Sequence, residues 1–405
     1  MGAMTSQTIP LGRTDSGATL VHDKPLARAH LAFIDNLRVL LAILVILHHL
    51  AVTYGGDKSW YYVEDTADPI TTTVLTLFVV TNQAFFMGFY FLIAAYFVPR
   101  SLESKGSKQF LRERFLRLGI PLAFQLLVIA PLLSYGLGVA VWGFDGSFWT
   151  YLGDYIQNYR GLDSGPLWFV EALLIFSIVY ALWWKLAGHP AHKVRNEGAV
   201  PGTLAVAVYA LAIGLVTFVV RIWLPVGWSF APLNLQFPHF PQYISLFIVG
   251  IIAYRRGWLS AIAEDTARGK LWSRIVIFLL VLAPILFVLG GALEGNTAPF
   301  RGGVHWQALI YAVWEQFMCV GMVISLLVWF RRRHDHQGGL ARTLSASAYT
   351  VYVCHAPILV AVALWLRGVE LYPLLKFALA ALISLPICFV VGGLARRLPA
   401  AEQVL

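Results

Sequence analysis

Charged residues are scarce in this chain, and their scarcity decides its class. They make up 13% of the 405 residues, whereas soluble domains average about 25%. Hydrophobic residues make up 59%, and the mean hydropathy is +0.70. This composition excludes an ordinary soluble domain and predicts an integral membrane protein.

Cysteine is scarce as well. The chain has Cys319, Cys354 and Cys388, and each of them falls inside an apolar run. Their spacing matches neither a disulfide framework nor a metal site, so we interpret them as packing residues. No set of metal ligands converges elsewhere in the sequence, and we expect no metal.

Long apolar runs are abundant, and ten of them approach or exceed the length of about 20 residues that a membrane-spanning helix needs. They predict an all-α fold, a polytopic integral membrane helix bundle with about ten transmembrane helices. The second run is long, and we expect a tilt or a break in it near Gly88. The predicted spans are residues 33–54, 70–98, 114–138, 165–187, 203–225, 240–256, 272–292, 305–330, 346–367 and 371–395.

Acidic residues are fewer than basic ones, 21 against 30, which gives a net charge of +9. Most lysines and arginines lie in the N-terminal tail, in alternate loops and near the C-terminus. Because cytoplasmic loops are enriched in these residues, both termini are predicted to be cytoplasmic. Membrane topology therefore accounts for the positive net charge, which does not indicate a nucleic-acid partner. The predicted domains are a polar cytoplasmic tail 1–31 (with 1–4 typical of a cloning remnant), a transmembrane domain 32–397 and a short cytoplasmic tail 398–405.

The first span, FIDNLRVLLAILVILHHLAVTY, carries ionisable residues, which are costly inside a membrane and therefore indicate function. Arg38 and His49 lie eleven positions apart, about 1100° of helix, so both project from one face roughly 16 Å apart. Asp35 falls near the same stripe, whereas His48 points about 80° away. We predict that Asp35, Arg38 and His49 line a polar cavity. Alternatively, Arg38 reaches the lipid headgroups and His49 bonds across a helix interface.

Polar side chains also interrupt later spans. Tyr352 and His355 are three residues apart and share a helix face. Each such residue has a structural alternative, as a paired or packed side chain. The intramembrane candidates are Asn82, Gln83, Glu171, Glu315, Tyr349, Tyr352 and His355.

Arg112 lies just before the third apolar run, and Arg114 and Arg117 face one way as that run begins. Guanidinium groups suit phosphates, which they bind through two parallel hydrogen bonds. The alternative is a role in topology and in binding anionic lipid headgroups. Segment 139–164 is rich in aromatic residues, which suit anchoring at the membrane interface or stacking on sugar rings.

These features resemble acyltransferase family 3, a family of integral membrane acyl-CoA-dependent O-acyltransferases. The first-helix signature of that family is an arginine, ten residues and a histidine, and it stands here as Arg38-VLLAILVILH-His49. A second signature is a Phe-Phe pair that leads to Ser-Gly. The segment FFMGFYFLIAAYF, which begins at Phe85, is similar to this signature, with Ala94 and Ala95 in place of Ser-Gly.

Later segments extend the resemblance over residues 33–395. RERFLRLGIP (112–121) is similar to the arginine-rich start of the family's third helix, and GPLWFVEALL (165–174) and SAYTVYVCHAPIL (347–359) resemble its later motifs. FIVGIIAYRRGWL (247–259) is most similar to the branch that includes the periplasmic-glucan succinyltransferases. The transmembrane domain is thus identified as acyltransferase 3-like.

The resemblance implies an activity in the bacterial cytoplasmic (inner) membrane. An acyl group (acetyl, succinyl or similar) would pass from cytoplasmic acyl-CoA to a hydroxyl of an extracytoplasmic acceptor, usually a carbohydrate. His49 would be the general base, because an unperturbed imidazole is largely neutral near pH 7. Arg38 and Asp35 would organise the cavity, and Arg38 or Arg221 would suit a succinyl carboxylate. The CoA phosphates would be held by Arg112, Arg114 and Arg117, and the candidate substrate contacts are Gln83, Trp168, Glu171, Tyr352 and His355.

Two other functions remain open at this point. A proton-coupled secondary transporter would use the same buried ionisable residues, and it would show inverted repeats and uptake without acyl-CoA. A non-catalytic membrane scaffold or sensor would tolerate the loss of both Arg38 and His49. The expected partners are acyl-CoA, a glycan or other hydroxyl acceptor, and membrane lipids.

Overall fold

The computed structural model describes residues 31–56, 60–158, 164–188, 199–399, 401 and 404. Within these residues, ten helical stretches are long and apolar enough to cross a membrane. An isolated bridge between Phe230 and Leu235 is the one β-type pairing in this part of the chain. The all-α, polytopic helix bundle predicted from the sequence is therefore confirmed.

Sixteen α-helices form the described part of the chain. Short π- or 3-10 segments extend several of them, including Val52–Gly56 after the first and Gly165–Leu167 before the eighth. The helices are α1 Ala32–Ala51, α2 Pro69–Gln83, α3 Phe86–Tyr96, α4 Val98–Arg114, α5 Ile120–Phe124, α6 Ala130–Val141, α7 Phe148–Gln157, α8 Trp168–Leu186, α9 Thr203–Trp223, α10 Phe240–Arg256, α11 Trp258–Glu264, α12 Thr266–Leu289, α13 Ala298–Arg301, α14 Trp306–Arg333, α15 Gly339–Trp365 and α16 Pro373–Ala395.

Helix α1 lies among other spans rather than at the edge of the bundle. It packs against α2, α3, α14, α15 and α16. Apolar residues on several of its faces are fully buried, including Leu37, Leu41 and Ile46. Because neighbouring helices surround α1, any polar side chain on it faces protein or an internal opening. We call the membrane end at which α1 begins the basic end, since the loops around Arg100, Arg256 and Arg333 lie there.

The second span is broken. The sequence suggested a tilt or a break near Gly88, but the break lies at Ala84–Phe85. Helix α2 ends at Gln83 and α3 begins at Phe86. The Gln242 side chain donates a hydrogen bond to the Ala84 carbonyl oxygen at 2.8 Å. A backbone carbonyl released inside a membrane needs such a partner. Gly88 instead allows close helix packing, because a Cβ there would lie 2.6 Å from the Leu246 side chain.

The third span is longer than predicted. Its helical stretch runs from Val98 to Val141, so residues 99–113, which lie between the second and third predicted spans, are largely helical. Gly106, with φ 72°, interrupts it. The π-helical turns Phe115–Gly119 and Gln125–Ile129 come shortly before Pro121 and Pro131. Proline lacks an amide hydrogen and clashes with the preceding turn, and widened turns of this kind accommodate it.

Both predicted terminal tails extend beyond the described residues. In the N-terminal tail 1–31, residues 1–30 lie outside them. In the C-terminal tail 398–405, residues 400, 402, 403 and 405 lie outside them. The predicted cytoplasmic location of both termini stays a prediction.

Candidate active site

Arg38 lies near the basic end of α1 and keeps access to solvent. Its Nη1 atom is 3.2 Å from Asp35 Oδ1, one turn earlier, and its side chain is 38% exposed. The guanidinium carbon lies 5.1 Å from the centre of the Phe97 ring. The Tyr90 hydroxyl donates to the Arg38 carbonyl oxygen at 3.3 Å. Asp35 and Arg38 are therefore paired, with the cation still accessible.

His49 lies further along α1 in an aromatic slot. Its ring stacks on Trp60, with centroids 3.8 Å apart and planes 16° from parallel. The His355 ring is 5.3 Å from His49 and 20° from parallel, and 6.3 Å from Trp60. These three distances place Trp60 over the face of His49 and His355 beside its edge. His49 is only partly buried, so its ring is not sealed off by the neighbouring side chains.

The hydrogen bond of His355 fixes which of its nitrogens carries a proton. Nδ1 lies 2.7 Å from the Tyr352 carbonyl oxygen, and a carbonyl only accepts, so Nδ1 is the donor. In the neutral imidazole, Nε2 then carries a lone pair. Nε2 is buried and has no hydrogen-bond partner among the described residues. A proton acceptor thus lies beside the edge of the His49 ring.

His48 faces another part of the protein, as the helix geometry predicted. Its Nδ1 atom lies 3.3 Å from Asn82 Nδ2, and its ring stacks on Phe86 at 5.0 Å. The planes of the two adjacent histidine rings are 88° apart. His48 is therefore a packed residue beside the break in the second span. Of the two histidines, His49 is the one whose ring lies beside His355 of α15.

Helix α15 connects the two ends of the candidate site. Tyr349, Tyr352 and His355 recur every three residues, so they form a stripe about 9 Å long. The Tyr349 hydroxyl donates to the Arg117 carbonyl oxygen at 2.5 Å. The Tyr352 ring lies 5.8 Å from His355 and 6.3 Å from Tyr90. The stripe therefore runs from the arginines to the paired histidines.

Two of the three predicted phosphate-binding arginines gather near Arg38. Arg117 is close enough to Arg38 for their charges to repel. Arg114 interacts with Arg117 and with Tyr349, and its guanidinium lies 5.0 Å from the Phe110 ring centre. Arg112 is exposed, and a two-residue offset directs it about 200° around the helix from Arg114. The structure therefore brings together Arg38, Arg114 and Arg117, and leaves Arg112 apart.

Glu171 is a buried carboxyl group at the start of α8, 4% exposed. The Ser164 hydroxyl lies near it, but neither carboxyl oxygen makes a well-formed hydrogen bond with the described residues. The Tyr352 hydroxyl donates to the Pro166 carbonyl oxygen, so the start of α8 is joined to the α15 stripe. A buried carboxyl without a well-formed hydrogen bond is costly, which makes Glu171 a candidate contact for a bound hydroxyl.

Gln83 and Trp168 belong to a neighbouring cluster around Tyr243. Gln83 Nε2 donates to the Tyr243 hydroxyl at 3.1 Å. The Trp168 ring stacks on Tyr243 at 5.4 Å, and Phe91 lies on the same ring at 5.1 Å. The contacts of these two side chains are thus with α3 and α10 rather than with His49.

Glu315 belongs to a buried ionic cluster. Its Oε2 atom is 2.6 Å from Arg221 Nη2, and its Oε1 atom is 3.3 Å from His239 Nδ1. Arg221 is fully buried and Glu315 is 1% exposed. Arg221 is therefore already neutralised and does not suit a succinyl carboxylate. The cluster joins α9, the 3-10 turn Phe237–His239 that precedes α10, and α14.

Sequence reasoning missed Trp60 and Tyr90. Trp60 comes from the segment after α1, which the buried Lys376 anchors through an ion pair with Glu64. The Glu64 amide also donates to the Thr53 carbonyl oxygen at 2.8 Å. No local pattern marks Trp60, because its contact with His49 depends on how this segment folds back. Tyr90 lies on α3, four residues after the Phe85-Phe86 motif. Its closeness to that motif was the one sequence signal that could have marked it as a site residue.

Comparison with known proteins identifies the family. Residues 31–393 match the model of an acyltransferase domain, acyltransferase family 3. The chain belongs to this acyltransferase family. A search of curated proteins and a search of solved structures each gave no match. The match confirms an acyltransferase domain over almost the whole predicted transmembrane region, and with the ten apolar helices it supports a multi-pass membrane enzyme.

Proposed function

We propose that this acyltransferase moves an acyl group, acetyl, succinyl or similar, from acyl-CoA to a hydroxyl of a carbohydrate or other acceptor across the membrane. The observation that carries the proposal is the α15 stripe. It links an arginine group at the basic end to a histidine pair deeper in the bundle. Donor and acceptor can therefore approach one reaction centre from opposite ends.

Arg114 and Arg117 would hold the CoA phosphates, because guanidinium groups bind phosphate oxygens through charge-assisted hydrogen bonds. The accessible Arg38 would lie where the donor enters the bundle. The pantetheine arm would then follow Tyr349 and Tyr352 towards His49. Arg112 is a weaker candidate for this role, since it points away from the group.

His49 would act as general base. It takes the proton of the acceptor hydroxyl while the oxygen attacks the thioester carbon. The tetrahedral intermediate then collapses, the carbon–sulfur bond breaks, and the protonated His49 returns the proton to the leaving CoA thiolate. The slot formed by Trp60 holds the imidazole in one plane during both transfers.

His355 would position His49. A His49 N–H directed at the His355 Nε2 lone pair would leave the other His49 nitrogen unprotonated and available to the hydroxyl. Such a hydrogen bond selects one tautomer, as a second group does for many catalytic histidines. Glu171, Tyr352, Gln83 and Trp168 are proposed contacts of the acceptor or the acyl arm, with Glu171 the best placed to bind a hydroxyl.

The charge distribution supports a location in the bacterial inner membrane with both termini in the cytoplasm. In this orientation the arginine group would meet cytoplasmic acyl-CoA, and the Trp60 slot would lie nearer the extracytoplasmic face. The exposed aromatic helix α7 follows the third span at that same face. Its Trp149 is 76% exposed, which suits the membrane interface or a sugar ring.

The test uses purified full-length protein with acetyl-CoA, succinyl-CoA and free CoA. A ligand that binds only the folded protein raises its thermal midpoint, so we expect stabilisation by CoA compounds. Mass spectrometry of products with candidate glycans should show an added acyl group. Uptake of a solute by vesicles without acyl-CoA, together with no stabilisation by CoA, would instead support a proton-coupled transporter.

A further inference from the structure

A second basic site lies away from the α15 stripe. A cavity of about 290 Å³ opens between the start of α12 and the end of α14. Gly269 allows the two helices to meet closely at this point, because a Cβ there would lie 2.6 Å from the Val328 side chain. The cavity is at the basic end of the bundle, where the seventh span begins and the eighth ends.

Among the described residues, the cations that line this cavity have no acidic partners. Two neighbouring arginines do have them: Arg268 is 3.2 Å from Asp265, and Arg331 is 3.1 Å from Glu264. No ion pair within the described residues involves any of the four lining cations, and all of them are exposed. They are Lys270, Arg274, Arg332 and Arg333.

Two further side chains point to a ligand at the membrane surface. Ser325 is one of the residues that line the cavity, and its hydroxyl oxygen is buried without a hydrogen-bond partner in the described part of the chain. Trp329 forms part of the lining and is 50% exposed. Tryptophan is enriched at the membrane–water interface. The cavity thus offers a hydroxyl group, several cations and an interfacial ring.

We propose that this cavity binds the phosphate group of an anionic membrane lipid. Arginines form paired hydrogen bonds with phosphate oxygens, and basic pockets between membrane helices bind anionic headgroups. Small-molecule sites usually measure about 300–1,000 Å³, so this cavity suits a headgroup better than a whole coenzyme. It is built from α12 and α14, whereas Arg114 and Arg117 contact α15, so the two phosphate sites are separate.

The test measures binding of phosphatidylglycerol to the full-length protein purified in neutral detergent. Phosphatidylcholine and inorganic phosphate are titrated separately, and the thermal midpoint is the readout. We expect phosphatidylglycerol to stabilise the wild type more than phosphatidylcholine does. Arg274→Gln/Arg332→Gln should weaken the apparent affinity for the lipid about 30-fold. Each cation near a headgroup strengthens binding about fivefold, and this variant removes two of them.

The control variant is Arg396→Gln/Arg397→Gln, which removes the same charge from an exposed pair at the end of α16. It should keep the wild-type lipid affinity. A second pair, Lys270→Gln/Arg333→Gln, guards against a folding defect in the first and should show a similar loss. Inorganic phosphate is the test for a soluble ligand. If it raises the thermal midpoint of the wild type but of neither cavity variant, the cavity binds phosphate that is free in solution as well.

Equal lipid affinity in the wild type and both cavity variants would overturn the proposal. So would an equal loss in the α16 control, because the effect would then follow total charge rather than this cavity. Neither result bears on acyl transfer, which uses Arg38, Arg114 and Arg117.

Discussion

The adjacent histidines of α1 allow a matched test of the proposed general base. His49→Gln keeps a polar side chain of similar size but removes the basic nitrogen. His48→Gln makes the same chemical change one residue earlier, on a side chain that contacts Asn82 and Phe86 instead. The two variants differ mainly in which face of the helix they alter.

General acid–base catalysis contributes about 10²- to 10⁴-fold in rate, which corresponds to roughly 3–5 kcal/mol of barrier. We therefore expect His49→Gln to lower kcat by at least about 100-fold. Its ring stacks on Trp60, and loss of an aromatic contact costs about 0.5–1.5 kcal/mol of stability, which leaves the protein folded. For His48→Gln we expect a stability loss of about 1 kcal/mol, the value of one hydrogen bond, with kcat close to wild type.

The assay follows release of the CoA thiol from acetyl-CoA or succinyl-CoA, with mass spectrometry of the acylated acceptor. Thermal midpoints are measured in parallel to separate catalysis from folding. Wild-type turnover by His49→Gln would remove this residue from the mechanism. An equal loss in the His48 variant would show that both changes act through the structure of α1.

His355 offers a further check on the same geometry. If it only positions His49, His355→Gln should lower kcat about tenfold, the effect of one lost hydrogen bond of roughly 1–1.5 kcal/mol. The pH profile of kcat should also shift, because the tautomer of His49 is no longer selected. The double variant should be no slower than His49→Gln, since residues that act as a unit are not additive. Additive losses would argue for two independent roles.

Three other predictions test different parts of the molecule. Glu315→Gln should destabilise the protein by about 3–5 kcal/mol, as measured by chemical denaturation, because it leaves the buried Arg221 unpaired; a change below about 1 kcal/mol would contradict the ionic cluster. Arg114→Gln/Arg117→Gln should weaken CoA binding at least about 100-fold in calorimetry, since each of the two lost charge-assisted hydrogen bonds contributes about 1.5–3 kcal/mol. Arg112→Gln should bind CoA nearly as the wild type does. Reporter fusions should place both termini in the cytoplasm, and a periplasmic signal at either end would refute the orientation.

The spans and the alignment of the first helix could be predicted from the sequence because both depend on local rules. A membrane helix is recognised by its length and apolarity, and a period of 3.6 residues decides that Arg38 and His49 share a face. The same rule places His48 on another face, and its contact with Asn82 agrees with that prediction. These inferences need no knowledge of the partner helices.

The pairing of residues on different helices could not be predicted in this way. His49 meets Trp60 through a folded-back segment and His355 through packing of the first span against the ninth. Glu315 and Arg221 were noticed separately, and their ion pair depends on the packing of α14 against α9. Sequence periodicity tells which face a residue occupies but not which helix covers that face.

The break in the second span is stabilised by side chains from other helices. A span that ends at Gln83 and restarts at Phe86 interrupts the backbone hydrogen bonds inside the membrane, which is tolerated only where other groups replace them. Gln242 supplies a donor to the Ala84 carbonyl and also donates to Gln316 Oε1 at 3.2 Å. On either side of this break, Asn82 contacts His48 and Phe86 stacks on it. The break therefore sets the position of His48, a packed residue, so Gln242→Leu should lower the thermal midpoint while the kcat of the folded protein stays close to wild type. A loss of kcat in Gln242→Leu would show that the break also positions His49.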